Sequence, residues 1–260
     1  MIHNNFWANR FVLILGLFFV STHSVWCETR LTAAKETFFY PGIEKVGFIR
    51  KDSVPFSGSV HSGEFGQIII SWNHIIYIKP HRNYVFQENA LFLVFRGVED
   101  IYYDNKSMGT YYQILGIVEI TALKPRFIQG KIIKSFFPIR KGDLLKPYQE
   151  NSPYISIIDE VPYIRAHVIA SEDTRRMVGH GDIVFIDQGH VHGIQPGNVF
   201  SIFEHHEKNF EMSSRSEFID PSLSYPSGQI IILSTERETA AGLITWSKNE
   251  LLMAHELDVH

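Results

Sequence analysis

Histidine is the residue type whose placement in this chain could hold a metal. His180, His190, His192, His205 and His206 fall in one stretch. His190 and His192 alternate, so an extended segment would aim both rings the same way, and imidazole nitrogens so placed bind zinc or copper. With His180, and with Asp182 or Asp187 as an oxygen ligand, they form a candidate metal site. Two features weigh against it. There is no cysteine and no His-x-x-x-His spacing in the stretch, and its histidines fall in an expected loop and strand end, where solvated rings are common.

Hydrolysis would need a nucleophile beside a base, or two carboxylates flanking a cleft. The chain offers Ser171-Glu172-Asp173 and the pair His180 and Asp182, without a Gly-x-Ser-x-Gly elbow or a Ser-x-x-Lys set. Gly-x-Gly-x-x-Gly and Walker sequences do not occur. The reading is therefore not an enzyme and without a cofactor. Exposed aromatics could instead stack on sugars or on a protein surface. Trp72, Tyr102, Tyr103, Tyr111, Tyr112 and Trp246 stand outside the most regular apolar alternation, and the two tyrosine pairs flank a polar tip containing Asn105, Lys106, Ser107 and Gly109. The competing reading packs one tyrosine of each pair inward.

These residues must be positioned by short strands. Apolar runs at 57–61, 67–71, 75–79, 90–95, 113–123 and 127–135 end in Gly, Asn, Asp or Pro, and equivalent runs lie at 165–170, 175–178, 183–187, 199–204, 228–235 and 240–247. The two sets are copies of one unit. Val60 pairs with Val168, Glu64 with Glu172, Ile78 with Ile186, Gln87 with Gln195 and Phe92 with Phe200, all at an offset of 108 residues. The offset then grows by four, pairing Gly116 with Gly228, Ile120 with Ile232, Gly130 with Gly242 and Ser135 with Ser247. A repeat that keeps apolar character with sparse identity reports a shared core. Six short strands per unit, with no helical periodicity, predict an all-β chain of two tandem small β-barrel or β-sandwich modules, since closure removes exposed edges.

The predicted boundaries are a module at 45–149, a linker at 150–162 and a second module at 163–260, with a lead-in at 28–44. Pro196-Gly197 predicts a type II turn, with Gly189 and Gly193 as further positive-φ positions. The first copy has Glu88-Asn89 at the matched place, and Arg82 and Tyr84 where the second has His190 and His192. The longest connections, 99–112 and 205–225, are the expected binding loops.

Arg10, the apolar run 11–20 and the polar Ser21, Thr22, His23 and Ser24 predict a signal helix within residues 1–27, too short to span a bilayer. Contact with a membrane is therefore expected only through the export signal. Cys27 is the one cysteine, so the modules contain no disulfide and rely on packing. A net charge of −4 argues against a nucleic-acid partner.

The segments Tyr40-Pro-Gly-Ile-Glu-Lys-Val-Gly-Phe-Ile49, Gly116-Ile-Val-Glu-Ile-Thr121, Ile133-Lys-Ser-Phe136, Gly181-Asp-Ile-Val-Phe-Ile-Asp187 and Gly193-Ile-Gln-Pro-Gly197 resemble the C-terminal region of bacterial LysM-containing envelope proteins. The second-copy pattern is also similar to the C-terminal domain of the flagellar assembly protein FlgT. The first resemblance implies a periplasmic place beside peptidoglycan, although the short lead-in has no room for a LysM module. The expectation is thus an exported, non-enzymatic envelope protein that binds another envelope protein or the cell wall through loops; periplasmic binding of zinc or copper by the second-copy histidines is the alternative.

Overall fold

Alternation of small or apolar with polar residues underlies several of the longer strands. The computed structural model describes residues 36–82, 84–158, 164–205, 225–252 and 256–259. The expected signal segment, the lead-in up to residue 35, linker residues 159–162 and most of the 205–225 connection, His206 included, lie outside the described residues. In chain order come β1 (Thr37–Phe39), a 3-10 turn (Ile43–Lys45), β2 (Phe48–Arg50), β3 (Gly58–Gly63), β4 (Ile75–Pro80), β5 (Leu91–Tyr103), β6 (Lys106–Lys124), β7 (Phe127–Ser135) and β8 (Leu144–Pro147). They are followed by β9 (Tyr154–Ser156), β10 (Ala166–Ser171), β11 (Met177–Val178), β12 (Ile183–Ile186), a 3-10 turn (His190–His192), β13 (Val199–His205), β14 (Gly228–Thr235), β15 (Ala240–Ser247), β16 (Leu251–Leu252) and β17 (Glu256–Val259).

The expected pair of all-β modules is present, and both are barrels. In the first, β3, β4, β7, β6, β5 and β8 pair in that order, β8 returns to β3, and every pairing is antiparallel. In the second, β10, β12, β15, β14, β13 and β17 close in the same order. The duplication extends to individual residue partners. Ile75 faces Lys131 as Ile183 faces Leu243, and Phe92 faces Val118 as Phe200 faces Ile230. The bulge between Val60 and Ser62 recurs between Val168 and Ala170. A bulge is a defined backbone device for curling a sheet, so its recurrence is inherited geometry. Only the closing strand has slid: Val94 faces Leu145, whereas its equivalent Ile202 faces Val259.

The barrel interiors match as well. Val60, Ile70, Ile76, Ile78, Phe86, Phe92 and Val94 fill the first, where Val168, Val178, Val184, Ile186, Ile194, Phe200 and Ile202 fill the second. Each of these buried side chains contributes roughly 1.5–3 kcal/mol of transfer free energy.

The outer faces differ, and the difference joins the barrels. On the second barrel, Ile183, Phe185, Ile231, Leu233 and Leu243 point outward yet are buried, in a cluster with Ile43, Val46, Ile49, Ile101 and Tyr111. This is why β12 and the middle of β14 read as unbroken apolar runs: both of their faces are covered. The equivalent outward residues of the first barrel are Ile75, Tyr77, Glu119, Thr121 and Lys131, none of them buried.

The arm that covers the second barrel is the outer half of the β5–β6 hairpin, with β2 along its edge. The expected loop 99–112 is therefore a correction: it is paired strand closed at Asp104-Asn105, both at positive φ. Thr239 Oγ1 donates to the Ile49 carbonyl across 2.7 Å, and Arg50–Glu236 and Lys51–Glu238 pair beside it. The lead-in and linker also meet, β1 pairing with β9. The expected strand 67–71 reduces to a single bridge from Ile70 to Ile139, mirrored in the second copy by β11 with β16. Short strands at 37–39, 48–50, 144–147, 154–156, 251–252 and 256–259 have too few residues to show alternation, and sequence periodicity does not reveal them.

Candidate functional site

The turns that hold the site begin at the β3–β4 connection of each barrel. In the first, Gly66 N–H donates to Gly63 O at 3.3 Å and His74 N–H to Ser71 O at 3.2 Å, while Asn73 N–H reaches Ile132 O at 2.8 Å. In the second, Thr174 donates to Ser171, Asp182 to Gly179 and Gly181 to Ile244. Gly66 and Thr174 share positive φ, as do Asn73 and Gly181. One backbone is thus built twice, pinned at the same atoms.

The side chains on that backbone are opposite in character. On the first barrel, Phe65 and Ile68 are each 83% exposed, Trp72 67% and Ile69 57%. The equivalent residues on the second barrel are Asp173, Arg176, Met177 and His180. There, Arg175 bridges Asp173 at 2.7 Å and Asp182 at 3.2 Å. The fold does not require apolar residues at three of these positions, where the second copy has Asp173, Arg176 and His180; Met177 keeps the apolar character of Ile69.

The second-barrel loop faces the lead-in. Tyr40, Lys45, Glu172, Asp173, Arg175 and Asp182 surround a polar pocket of ≈ 180 Å³. Burial pushes the Glu172 carboxyl above the usual range, and Lys45 and the Gly47 N–H only partly offset it. Burial likewise raises the Tyr111 hydroxyl, with the charge of Glu172 adding to the rise. Tyr111 Oη and Glu172 Oε1 are both buried without a hydrogen-bond partner among the described residues.

A second cleft, of ≈ 300 Å³, is lined by Lys51, Tyr103, Lys106, His167, Asp187 and His192, among others. Asp187 accepts from the His167 N–H and holds His167 Nδ1, each at 2.8 Å, and the Tyr103 ring stacks on that imidazole at 5.1 Å. Sequence reasoning passes over His167 because nothing near it in the chain suggests a partner; the pairing of β10 with β12 brings Asp187 alongside.

The structure does not bring the candidate metal ligands together. His190 and His192 sit in a 3-10 turn, so their rings do not share one face of a strand. His190 Nδ1 lies 2.9 Å from Glu236 O, His192 Nδ1 accepts from Gly189 N–H at 3.1 Å, and His180 Nδ1 is 2.7 Å from Thr245 O. Among the described residues no group of three His, Cys, Asp or Glu side chains is placed to hold a metal ion.

The tyrosines also separate. Tyr111 is 2% exposed inside the inter-barrel cluster, which removes it from any binding surface. Tyr112 stacks on Phe48 and Tyr103 on His167, leaving Tyr102 as the exposed member of the four. Trp246 is exposed on β15.

The Pro196-Gly197 turn closes as expected, Asn198 N–H donating to Gln195 O with Gly197 at φ +95°. The first copy keeps it through Asn89 at φ +64°. Gly193 has positive φ, but Gly189 does not: it is extended at φ −132° and is glycine because a Cβ would lie 2.4 Å from Glu236 O. No family model matches this sequence, and no curated protein matches it. The loop of the first barrel is the candidate site, on the strength of its exposed apolar residues.

Proposed function

We propose that this chain is an exported, non-enzymatic protein of the cell envelope that works by surface contact, with loop 64–74 of the first barrel as its contact surface. The observation that supports this reading is exposed Phe65, Ile68 and Trp72 where the second copy has Asp173, Arg176 and His180 on an equivalent backbone, with exposed Ile69 beside them. A contiguous exposed apolar group on a rigid loop marks an interaction site. The second barrel acts as the buttress, its equivalent loop being engaged with the lead-in. Cell wall and envelope protein are the partners the resemblance to LysM-containing proteins suggests; the aliphatic isoleucines favour an apolar partner over glycan, which stacks on rings.

The test is recovery from envelope extract, run beside sedimentation with purified sacculi, with the native chain and with Phe65→Ser/Trp72→Ser. Recovery of an envelope component that falls at least fivefold in the variant supports the reading. Equal recovery by both chains, or turnover of murein by the purified protein, defeats it.

A further inference from the structure

The bridge that pins the apolar loop also sets what lies beside it. Ile70 and Ile139 exchange backbone hydrogen bonds of 2.8 and 2.9 Å in antiparallel register. Arg140 and Lys141 follow Ile139 directly, at the start of a turn closed by Asp143 N–H on Arg140 O. On the other side Lys131 faces Ile75, the residue that follows the loop. All three cations are exposed, and among the described residues none of them is in an ion pair. Glu119 lies opposite Lys131 on β6 and Glu64 opens the loop, so in a chain of net charge −4 Arg140 and Lys141 are the cations that mark the surroundings of the apolar residues.

We propose that loop 64–74 docks on a bilayer surface rich in anionic headgroups, with Phe65, Ile68, Ile69 and Trp72 entering the headgroup and acyl boundary and Lys131, Arg140 and Lys141 contacting phosphates. This rests on the contact reading above and names its partner. Three observations point to lipid. Phe65 and Trp72 sit on two turns, one closed at Gly66 and the other carrying Trp72 at its first central position, and Ile68 and Ile69 lie exposed between them. Tryptophan with basic neighbours is the composition of a membrane interface, where the indole sits at headgroup level and each cation is drawn to anionic lipid. The loop is also held by main-chain bonds before contact, so ordering costs little on insertion. The second barrel provides the contrast, its equivalent loop carrying Asp173, Arg176 and His180 in place of Phe65, Ile68 and Trp72, with Met177 in place of Ile69.

Vesicle flotation of the full chain tests this, using phosphatidylglycerol–phosphatidylethanolamine vesicles beside pure phosphatidylcholine. The native chain is expected to float with the anionic vesicles, more weakly at 0.5 M salt. Replacing Phe65, Ile68, Ile69 and Trp72 by Ser should weaken binding at least tenfold, and replacing Lys131, Arg140 and Lys141 by Ser should abolish the preference for anionic lipid. The leader is common to every chain, so the differences read the loop. These side chains are exposed, and unchanged circular dichroism and melting confirm that the variants fold. In a chain keeping Trp72 as its sole tryptophan, quenching of fluorescence by brominated lipid places the loop in the bilayer. Equal flotation of native and loop variants, or indifference to lipid charge, overturns the proposal. If vesicles fail while the loop variant loses an envelope protein or self-associates less, the lipid proposal falls and the contact reading stands; if nothing captured depends on the loop, both fall.

Discussion

Tyr111 and Glu172 show how two polar groups come to be buried by the union of the barrels. Each leaves a buried oxygen without a hydrogen-bond partner among the described residues, Tyr111 in the apolar cluster and Glu172 beside a polar pocket, a situation that costs about 1–3 kcal/mol per group. Tyr111→Phe removes only the orphan oxygen, so its urea midpoint should match or exceed that of the native chain, whereas Tyr111→Ala should lose about 3–5 kcal/mol through the cavity it leaves. Glu172 gives a pH dependence with a fixed sign. Its carboxyl is raised in the folded state, which therefore holds the proton to higher pH than the unfolded chain does. Stability falls as pH rises from the ordinary glutamate range through the raised value. Glu172→Gln removes that slope: melts across pH 4 to 8 should show the variant gaining on the native chain as pH rises, with its greatest advantage at neutral pH. A native advantage that grew with pH would contradict the burial argument.

At the scale of elements, the β5–β6 hairpin does two jobs along one length. Its inner half closes the first barrel, and its outer half carries Ile101 and Tyr111 onto the second. Gly109 lets β2 lie against it: φ is +109°, and a Cβ would fall 2.3 Å from the Arg50 carbonyl. Gly109→Ala is thus doubly excluded and should cost about 2 kcal/mol or more, read as a lower denaturation midpoint. Gly197 is held in the same way, since a Cβ there would meet Ser156 O at 2.0 Å, where the linker docks on the second barrel. Phe185→Ala, on the far side of the inter-barrel cluster, should cost about 3–5 kcal/mol.

The whole molecule is two copies of a barrel that have stopped being equivalent. The second carries an apolar outer face that receives the first, while the same face on the first bears Glu119, Thr121 and Lys131 and is not buried among the described residues. A shared core predicts shared unfolding. Chains keeping Trp72 or Trp246 as the sole tryptophan report on the first and second barrel respectively, and their urea midpoints should coincide. Separate midpoints would mean that the interface contributes little.

The sequence by itself determined the two-fold duplication, the all-β class and most barrel strands, because apolar alternation and repeated spacing are properties of neighbours along the chain. It also held a signal of the interface in the unbroken apolar runs 183–186 and 230–233, strands that must be covered on both faces. The tertiary structure alone decided which candidates could act. It placed His190 and His192 in a 3-10 turn, buried Tyr111, and left Phe65, Ile68, Ile69 and Trp72 outside any core. Exposure depends on what the other barrel and the lead-in cover. That is set by packing across more than a hundred residues of chain, and local spacing carries no record of it.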